Sequence, residues 1–422
     1  MIKIPEIIGN IWSSPTVFSP ISYLADTIGS RPTGSVGNIQ TVSYLVEQFS
    51  ELELIVKKQT FEVQIWDYDS TLLEIRGKTK LRAIPFGFSA IGEVKGSILP
   101  LVNPNPKQLE KLNFKDKIVT YLDTMGDMQT TGGRGLSREN LITNSAEKGA
   151  SAFIEVMNKP GGIIERRCLK SEAEIPTVGV SYEDGHLLLR SQSDVSFGVA
   201  GQQKKVTAEN VIAQTSEKTE KKLILTAHYD TVKDSPGAFD NASGVATLLE
   251  LARVFSEINK LSYSIEFIGL GANKWHFGGA KNYIDKYMDN TPVLVMNFDN
   301  TAKPGGLRYG VLANDMRLFG LTKQLILRFG FNINFNPAPI FGTDAALFHQ
   351  KNIPVFVINQ WKSPTFMNTP YDTLEKLSTD SLKNSTCIAG AILANIQNMA
   401  VLLKKAKNGK PYTKFDTEAR LE

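Results

Sequence analysis

The spacing of apolar residues changes period along the first sixty positions. Ile21, Leu24, Ala25 and Ile28 recur at helical spacing, and Gly29 stops that helix. After a break at Thr33-Gly34-Ser35, a second amphipathic helix over Asn38–Leu52 carries Val42, Leu45, Val46 and Phe49. Leu54 to Ile65 alternates apolar and polar positions, as a half-buried strand does.

From about 66 to 204 the pattern breaks into short apolar runs separated by Gly, Pro and Asn. Examples are Leu72–Ile75, Ser97–Leu101, Lys117–Leu122 and Ala152–Val156, with one helix over Ser137–Lys148 ending at Gly149. This predicts a small strand-rich domain. From about 205 onward strand and helix alternate. Leu223–Ala227, Tyr263–Leu270, Val293–Phe298 and Pro354–Ile358 read as strands. Ala242–Ile258, Met316–Phe329 and Leu382–Lys405 read as helices. The expected fold is α/β, a mostly parallel mixed sheet flanked by helices, built from 1–65 and 205–422 and interrupted by an insertion at 66–204.

Ligands in such sheets gather at the carboxyl ends of strands. The strand ending at Ala227 runs into His228-Tyr229-Asp230, and the following helix begins near Asp240. The strand over Val293–Phe298 ends in Asp299. An imidazole and carboxylates converging from such ends suit a divalent metal, and Asp230, two residues from His228, can orient the imidazole.

Composition narrows this further. The chain has 422 residues, 42% hydrophobic and 21% charged, which is ordinary globular composition. Its formal charge of +4 is too small to argue for nucleic acid or an anionic membrane. Two cysteines, Cys168 and Cys387, make neither a disulfide framework nor a cysteine metal cluster. Any imidazole ligand must come from His186, His228, His276 or His349. No run approaches the roughly 18 apolar residues of a spanning helix, and Pro5, Glu6 and Asn10 interrupt the start, so a cytoplasmic location is the expectation.

His228-Tyr229-Asp230 followed by Gly237-Ala238-Phe239-Asp240-Asn241-Ala242-Ser243-Gly244 resembles the dinuclear zinc aminopeptidases of metallopeptidase family 28. Ser30-Arg31-Pro32-Thr33-Gly34-Ser35, Asn297-Phe298-Asp299, Gly342-Thr343-Asp344 and Asn368-Thr369-Pro370-Tyr371-Asp372-Thr373 extend the likeness. Lys148–Ile154 and Ile175–Val180 resemble the protease-associated domain that some members carry as an insertion. The resemblance implies a zinc-exopeptidase fold, with Asp240 bridging two metals and His228 and Asp299 completing one of them. It also implies that Asp344 and Tyr371 contact substrate.

The second half of the implied site is absent. The adjacent glutamates of the family, general base and then ligand, align with Asn273 and Lys274, and the second histidine aligns with Asn368. No Asp or Glu lies between Phe267 and Lys281 to take over. A carboxamide at 273 cannot accept a proton as a carboxylate does. A protonated Lys274 cannot ligate metal. Two unit charges about 4 Å apart interact by about 4 kcal/mol at an effective dielectric of 20, so Lys274 beside Asp240 and Asp299 would serve as a counter-ion. The expectation is at most one divalent ion, zinc by resemblance, or none. Functionally, one reading is a pseudopeptidase in a binding or scaffold role. The alternatives are a one-metal hydrolase or acyl-transfer enzyme using Lys274, and a weakly active aminopeptidase. The implied ligand is a peptide, aminoacyl compound or other small molecule. Nucleic acid and membrane are not expected, and a protein partner would dock through the protease-associated domain.

Overall fold

The computed structural model describes residues 2–398 except 69–70, 76–78, 123–136, 192, 217–218, 289–291, 305–308, 314–315, 332–333, 337–341 and 361–363. Positions 399–405 of the expected closing helix lie outside the described residues; the helix is seen over Thr379–Asn398. The chain divides into two compact units. The larger comprises 1–62, 207–363 and 372–422; the smaller comprises 63–206 and 364–371. Grouping of 364–371 with the insertion was not anticipated from the sequence.

An eight-stranded sheet forms the centre of the larger unit. Its order is Ile55–Tyr68, Gly201–Gln214, Ser264–Leu270, Lys222–His228, Pro292–Asp299, Val355–Gln360, Tyr309–Ala313 and Asn334–Asn336. The four middle strands run parallel. Gly201–Gln214 and Tyr309–Ala313 join them antiparallel, which makes the sheet mixed.

Both faces of the middle strands are covered, which explains their nearly continuous apolar runs. Alternation sends Leu223, Leu225 and Ala227 to one core, with Leu294, Met296 and Phe298 beside them. That core also takes residues from the helices Ile4–Ser13, Val36–Glu51, Ser243–Ser256 and Thr379–Asn398. Ile224 and Val295 face the other way, against Tyr283 and Ile284 of the helix Gly278–Tyr287 and Phe348 of Ala345–Gln350. Each fully buried aliphatic or aromatic side chain contributes about 1.5–3 kcal/mol. These two layers therefore hold the strand ends rigidly.

The smaller unit is a closed barrel in the order Thr71–Ile75, Thr79–Pro85, Thr177–Val180, Ala152–Val156, Lys117–Leu122, Gly92–Val102 and Val195–Val199. Closure leaves no free sheet edge in so small a unit. Its helices Arg138–Glu147 and Tyr182–Arg190 begin at Ser137 and Ser181, whose hydroxyls accept N–H bonds from Asn140 and Asp184. Among the described residues no helix is long and apolar enough to cross a membrane.

Candidate metal and counter-ion site

Strand parity brings the first two site residues together. Thr226 lies opposite Asn297 in the parallel pair, and the Asn297 amide donates to the Thr226 hydroxyl at 3.0 Å. Two residues further along the same face come His228 and Asp299, at the carboxyl ends of adjacent strands. His228 Nε2 lies 3.7 Å from Asp299 Oδ1 and 3.2 Å from Asp240 Oδ1. Ligand atoms of His228, Asp240 and Asp299 all lie within 4.8 Å of one another, the only such group among the described residues.

Asp240 was expected at the start of a helix. Instead it sits in an irregular stretch with non-helical φ and ψ, and the regular helix begins at Ser243. The Asn241 side chain ties this stretch to the sheet. Its amide donates to the carbonyls of His228 and Phe298, and its oxygen accepts from Gly244 and Asn300. Asp372 holds the preceding residues, accepting N–H bonds from Phe239 at 2.7 Å and from Asp240 at 3.1 Å.

Lys274 enters from the turn after Ser264–Leu270. Its Nζ donates to Asp240 Oδ1 at 2.8 Å and to Oδ2 at 2.7 Å. The Asp230 carboxylate fixes that turn by accepting the backbone N–H groups of Asn273 at 2.9 Å and Lys274 at 3.0 Å. Asp230 also faces His228, but the nearest carboxylate oxygen is 3.6 Å from Nδ1, too long for a hydrogen bond. The Asp230 carbonyl is closer to Nδ1, at 3.2 Å. That contact favours Nδ1–H and leaves Nε2 toward Asp240 and Asp299. The Asn273 amide donates to Asp344 Oδ2 at 2.9 Å.

Electrostatics follow from these contacts. Burial works against the Lys274 ammonium, but Asp240, Asp299 and Asp230 outweigh it and raise its pKa. Burial opposes the Asp240 carboxylate, yet Lys274 and His228 hold it well below the usual range. Burial and Lys274 both disfavour an imidazolium at His228; the carboxylates of Asp230, Asp240 and Asp299 around the ring outweigh them and raise its pKa. At Asp344, His228 and the Asn273 amide offset burial only in part. Burial pushes it up to about 6, and its Oδ1 is buried without a hydrogen-bond partner.

Asn368 and Tyr371 belong to the segment grouped with the smaller unit. The Asn368 carbonyl accepts the Arg166 N–H at 3.1 Å, and the Tyr371 N–H donates to the Thr369 hydroxyl at 3.1 Å. His186 lies on the helix Tyr182–Arg190, His276 is exposed, and His349 lies on Ala345–Gln350. None of the three enters the metal-ligating group. Cys168 and Cys387 are not joined in a disulfide, and burial pushes both thiols up to about 12, which makes them unreactive. Arg31, Thr33 and Asp372 enter the sequence reading only as parts of motifs.

Residues 210–393 match the family model for peptidase family M28. This stretch is similar to the M28 peptidases. The resemblance read from the sequence is borne out to that extent. Aminopeptidase YwaD of Bacillus subtilis is 29% identical over 272 residues, 64% of this chain and 57% of its own. Probable lipoprotein aminopeptidase LpqL of Mycobacterium tuberculosis is 25% identical over 318 residues, 69% of this chain and 60% of its own. The match thus spans less than two thirds of either relative. The fold is shared with an aminopeptidase from an Aneurinibacillus species, at TM-score 0.73 and 23% identity over 94% of this chain and 96% of that one. A peptidase M28 precursor from Shewanella amazonensis gives TM-score 0.79 at 18% identity, over 94% and 96% of the two chains. The α/β mixed sheet expected from the sequence is therefore the M28 aminopeptidase fold.

Proposed function

We propose that this M28 domain has exchanged its second metal for the Lys274 ammonium and works as a peptide-related binding protein without conventional aminopeptidase turnover. The observation that carries this reading is the two-point bond from Lys274 Nζ to both Asp240 oxygens. A bridging carboxylate needs one oxygen for each metal, and here both face a fixed cation. Asn273, at the position aligned with the general base, has its amide bonded to Asp344 and no carboxylate to accept a proton.

The donor set fits one divalent ion. His228 Nε2, Asp240 and Asp299 supply nitrogen and oxygen donors of the kind zinc takes, and Asp299 Oδ1 is buried without a hydrogen-bond partner. Such an ion would supply Lewis-acid polarisation of a ligand carbonyl. With neutral His228, one divalent ion and the lysine cation balance the carboxylates of Asp230, Asp240 and Asp299, whereas two divalent ions leave a positive surplus. That balance favours one ion as the limit. Within the site Lys274 orients Asp240, and Asp230 holds the Lys274 turn. The raised pKa of Lys274 supports a counter-ion role over a lysine base. A fixed ammonium also disfavours the free amine of a peptide, so ligands with a blocked or acidic end bind better. In keeping with the family resemblance, the strand-rich unit is read as a protease-associated domain that offers the surface for a protein partner.

Elemental analysis of the purified chain together with aminoacyl-nitroanilide assays in added zinc tests the reading. We expect no more than one ion per chain and no turnover above the uncatalysed rate. Two ions per chain, or robust hydrolysis lost in Asp240→Ala, would overturn it.

A further inference from the structure

We propose that Arg31 and Asp372 are positioning residues that clamp the loop carrying Asp240 from its two polar sides. The proposal rests on the reading above that Asp240 is the group shared by His228 and Lys274.

This pair engages two carbonyls and three N–H groups in the approach to Asp240. Arg31 Nε donates to the Tyr229 carbonyl at 3.0 Å, Nη1 to Pro236 at 2.6 Å and Nη2 to Gly237 at 3.1 Å. Nη1 also bonds the carbonyls of Leu24 at 2.8 Å and Gly29 at 2.6 Å, which anchors the guanidinium to its own segment. On the other side, the Asp372 carbonyl accepts from Ala238 at 3.1 Å, and its carboxylate takes the N–H groups of Phe239 and Asp240. The carbonyls at 236 and 237 thus go to the cation, and the N–H groups at 238, 239 and 240 to the anion's residue.

Arg31 is fully buried and Asp372 is 0% exposed, so neither contact is loosened by water. Arg31 favours the ionised Asp372 carboxyl, while burial pushes that carboxyl up to about 7, so the clamp rests on its hydrogen bonds. Gly237 permits the close approach. Its φ of +58 suits glycine, and a Cβ there would lie 2.3 Å from Thr231 Cγ2 and 2.7 Å from the Asp240 carbonyl oxygen. The Arg31 backbone closes the same loop, exchanging bonds with Thr231 through N–H to Oγ1 at 2.8 Å and C=O to N–H at 3.2 Å. A planar fork is needed to reach three carbonyls at once, and a lysine at 31 lacks it.

Such a clamp fixes the direction of the Asp240 carboxylate before any ligand arrives, and its loss is felt at His228. The test uses histidine-selective nitrogen NMR on the metal-free full chain, where four imidazoles are easily assigned. Arg31→Lys and Asp372→Asn, read well below their unfolding temperatures, are expected to shift or broaden the His228 signals and leave His186 unchanged. Leu45→Ala, a core change away from the loop, should lower stability and leave His228 as in wild type. His228 signals identical to wild type in both clamp variants would overturn the proposal, as would an equal His228 shift in Leu45→Ala. If one clamp variant does not fold, the other decides. Because no metal is added, failure of wild type to take up an ion would count against the one-ion reading and leave this test intact.

Discussion

Lys274 Nζ lies 2.8 Å and 2.7 Å from the two carboxylate oxygens of Asp240, while His228 Nε2 approaches the first of those oxygens to 3.2 Å. One carboxylate therefore serves two nitrogen groups of different character. The ammonium is a permanent partner; the imidazole nitrogen can give way to a metal. Asp299 Oδ1, buried and without a hydrogen-bond partner, completes the open side of this arrangement.

Removing the lysine charge should expose how far the site depends on it. Lys274→Met leaves Asp240, 4% exposed, without its ammonium. Breaking one side of a buried pair costs about 3–5 kcal/mol. The variant is therefore expected to unfold at lower urea than wild type without metal. Added zinc should return much of the loss, since a cation replaces a cation. Urea curves with chelator and with zinc check this. Equal midpoints for variant and wild type in chelator would mean that the pair is not a stabilising element.

Asp344 should make stability fall as pH rises through the mildly acidic range. Its folded pKa is about 6 against an ordinary value of 3.8, so the native state holds the proton more tightly than the unfolded chain. Below about pH 4 both states are protonated and the group is neutral in the balance. Between the two values the unfolded state binds fewer protons, so stability declines, and above about 6 the full cost of about 3 kcal/mol is present. Asp344→Asn keeps an oxygen for the Asn273 amide and removes the cost. It should be more stable than wild type at pH 7.5 and equal to it at pH 4. A gain of the same size at both pH values would assign the effect to packing instead of charge.

His228, Asp240 and Asp299 were legible because strand ends and two-residue spacing are local properties of the chain. The placing of Lys274 beside Asp240 was legible for the same reason, since no acid lies near it in sequence. Arg31 and Asp372 were not, because their roles depend on contacts across about two hundred and one hundred and thirty positions respectively. The helix Ile4–Ser13 was missed although Ile4, Ile7, Ile8 and Ile11 have helical spacing. The helix Gly278–Tyr287 has a mixed surface and begins at Gly278-Gly279, which reads as a turn. Its glycines are needed for packing: a Cβ at Gly279 would lie 2.2 Å from the Gly271 carbonyl oxygen.

Gly237→Ala should weaken the loop at its tightest point. The new methyl would enter a left-handed backbone position and meet Thr231 and the Asp240 carbonyl. Strained backbone of this kind costs about 1–3 kcal/mol, before any displacement of the neighbours. We expect a lower urea midpoint and weaker cobalt binding, with the barrel unit unaffected by limited proteolysis. Retained wild-type stability would show that the loop yields easily.

Rebuilding the aligned acids gives the most direct test of the charge exchange. In Asn273→Glu with Lys274→Glu, a neutral amide and a cation become two carboxylates beside Asp230, Asp240, Asp299 and Asp344. Without metal, these charges repel, and the folded state must bind protons or lose stability. With divalent ions, the added carboxylates remove the surplus positive charge that limits wild type to one ion. The double variant should therefore be less stable than wild type in chelator, gain more from zinc, and take up more metal per chain. If metal content stays at the wild-type value in the double variant, Lys274 is not what excludes the second ion, and the limit lies in the shape of the pocket around it.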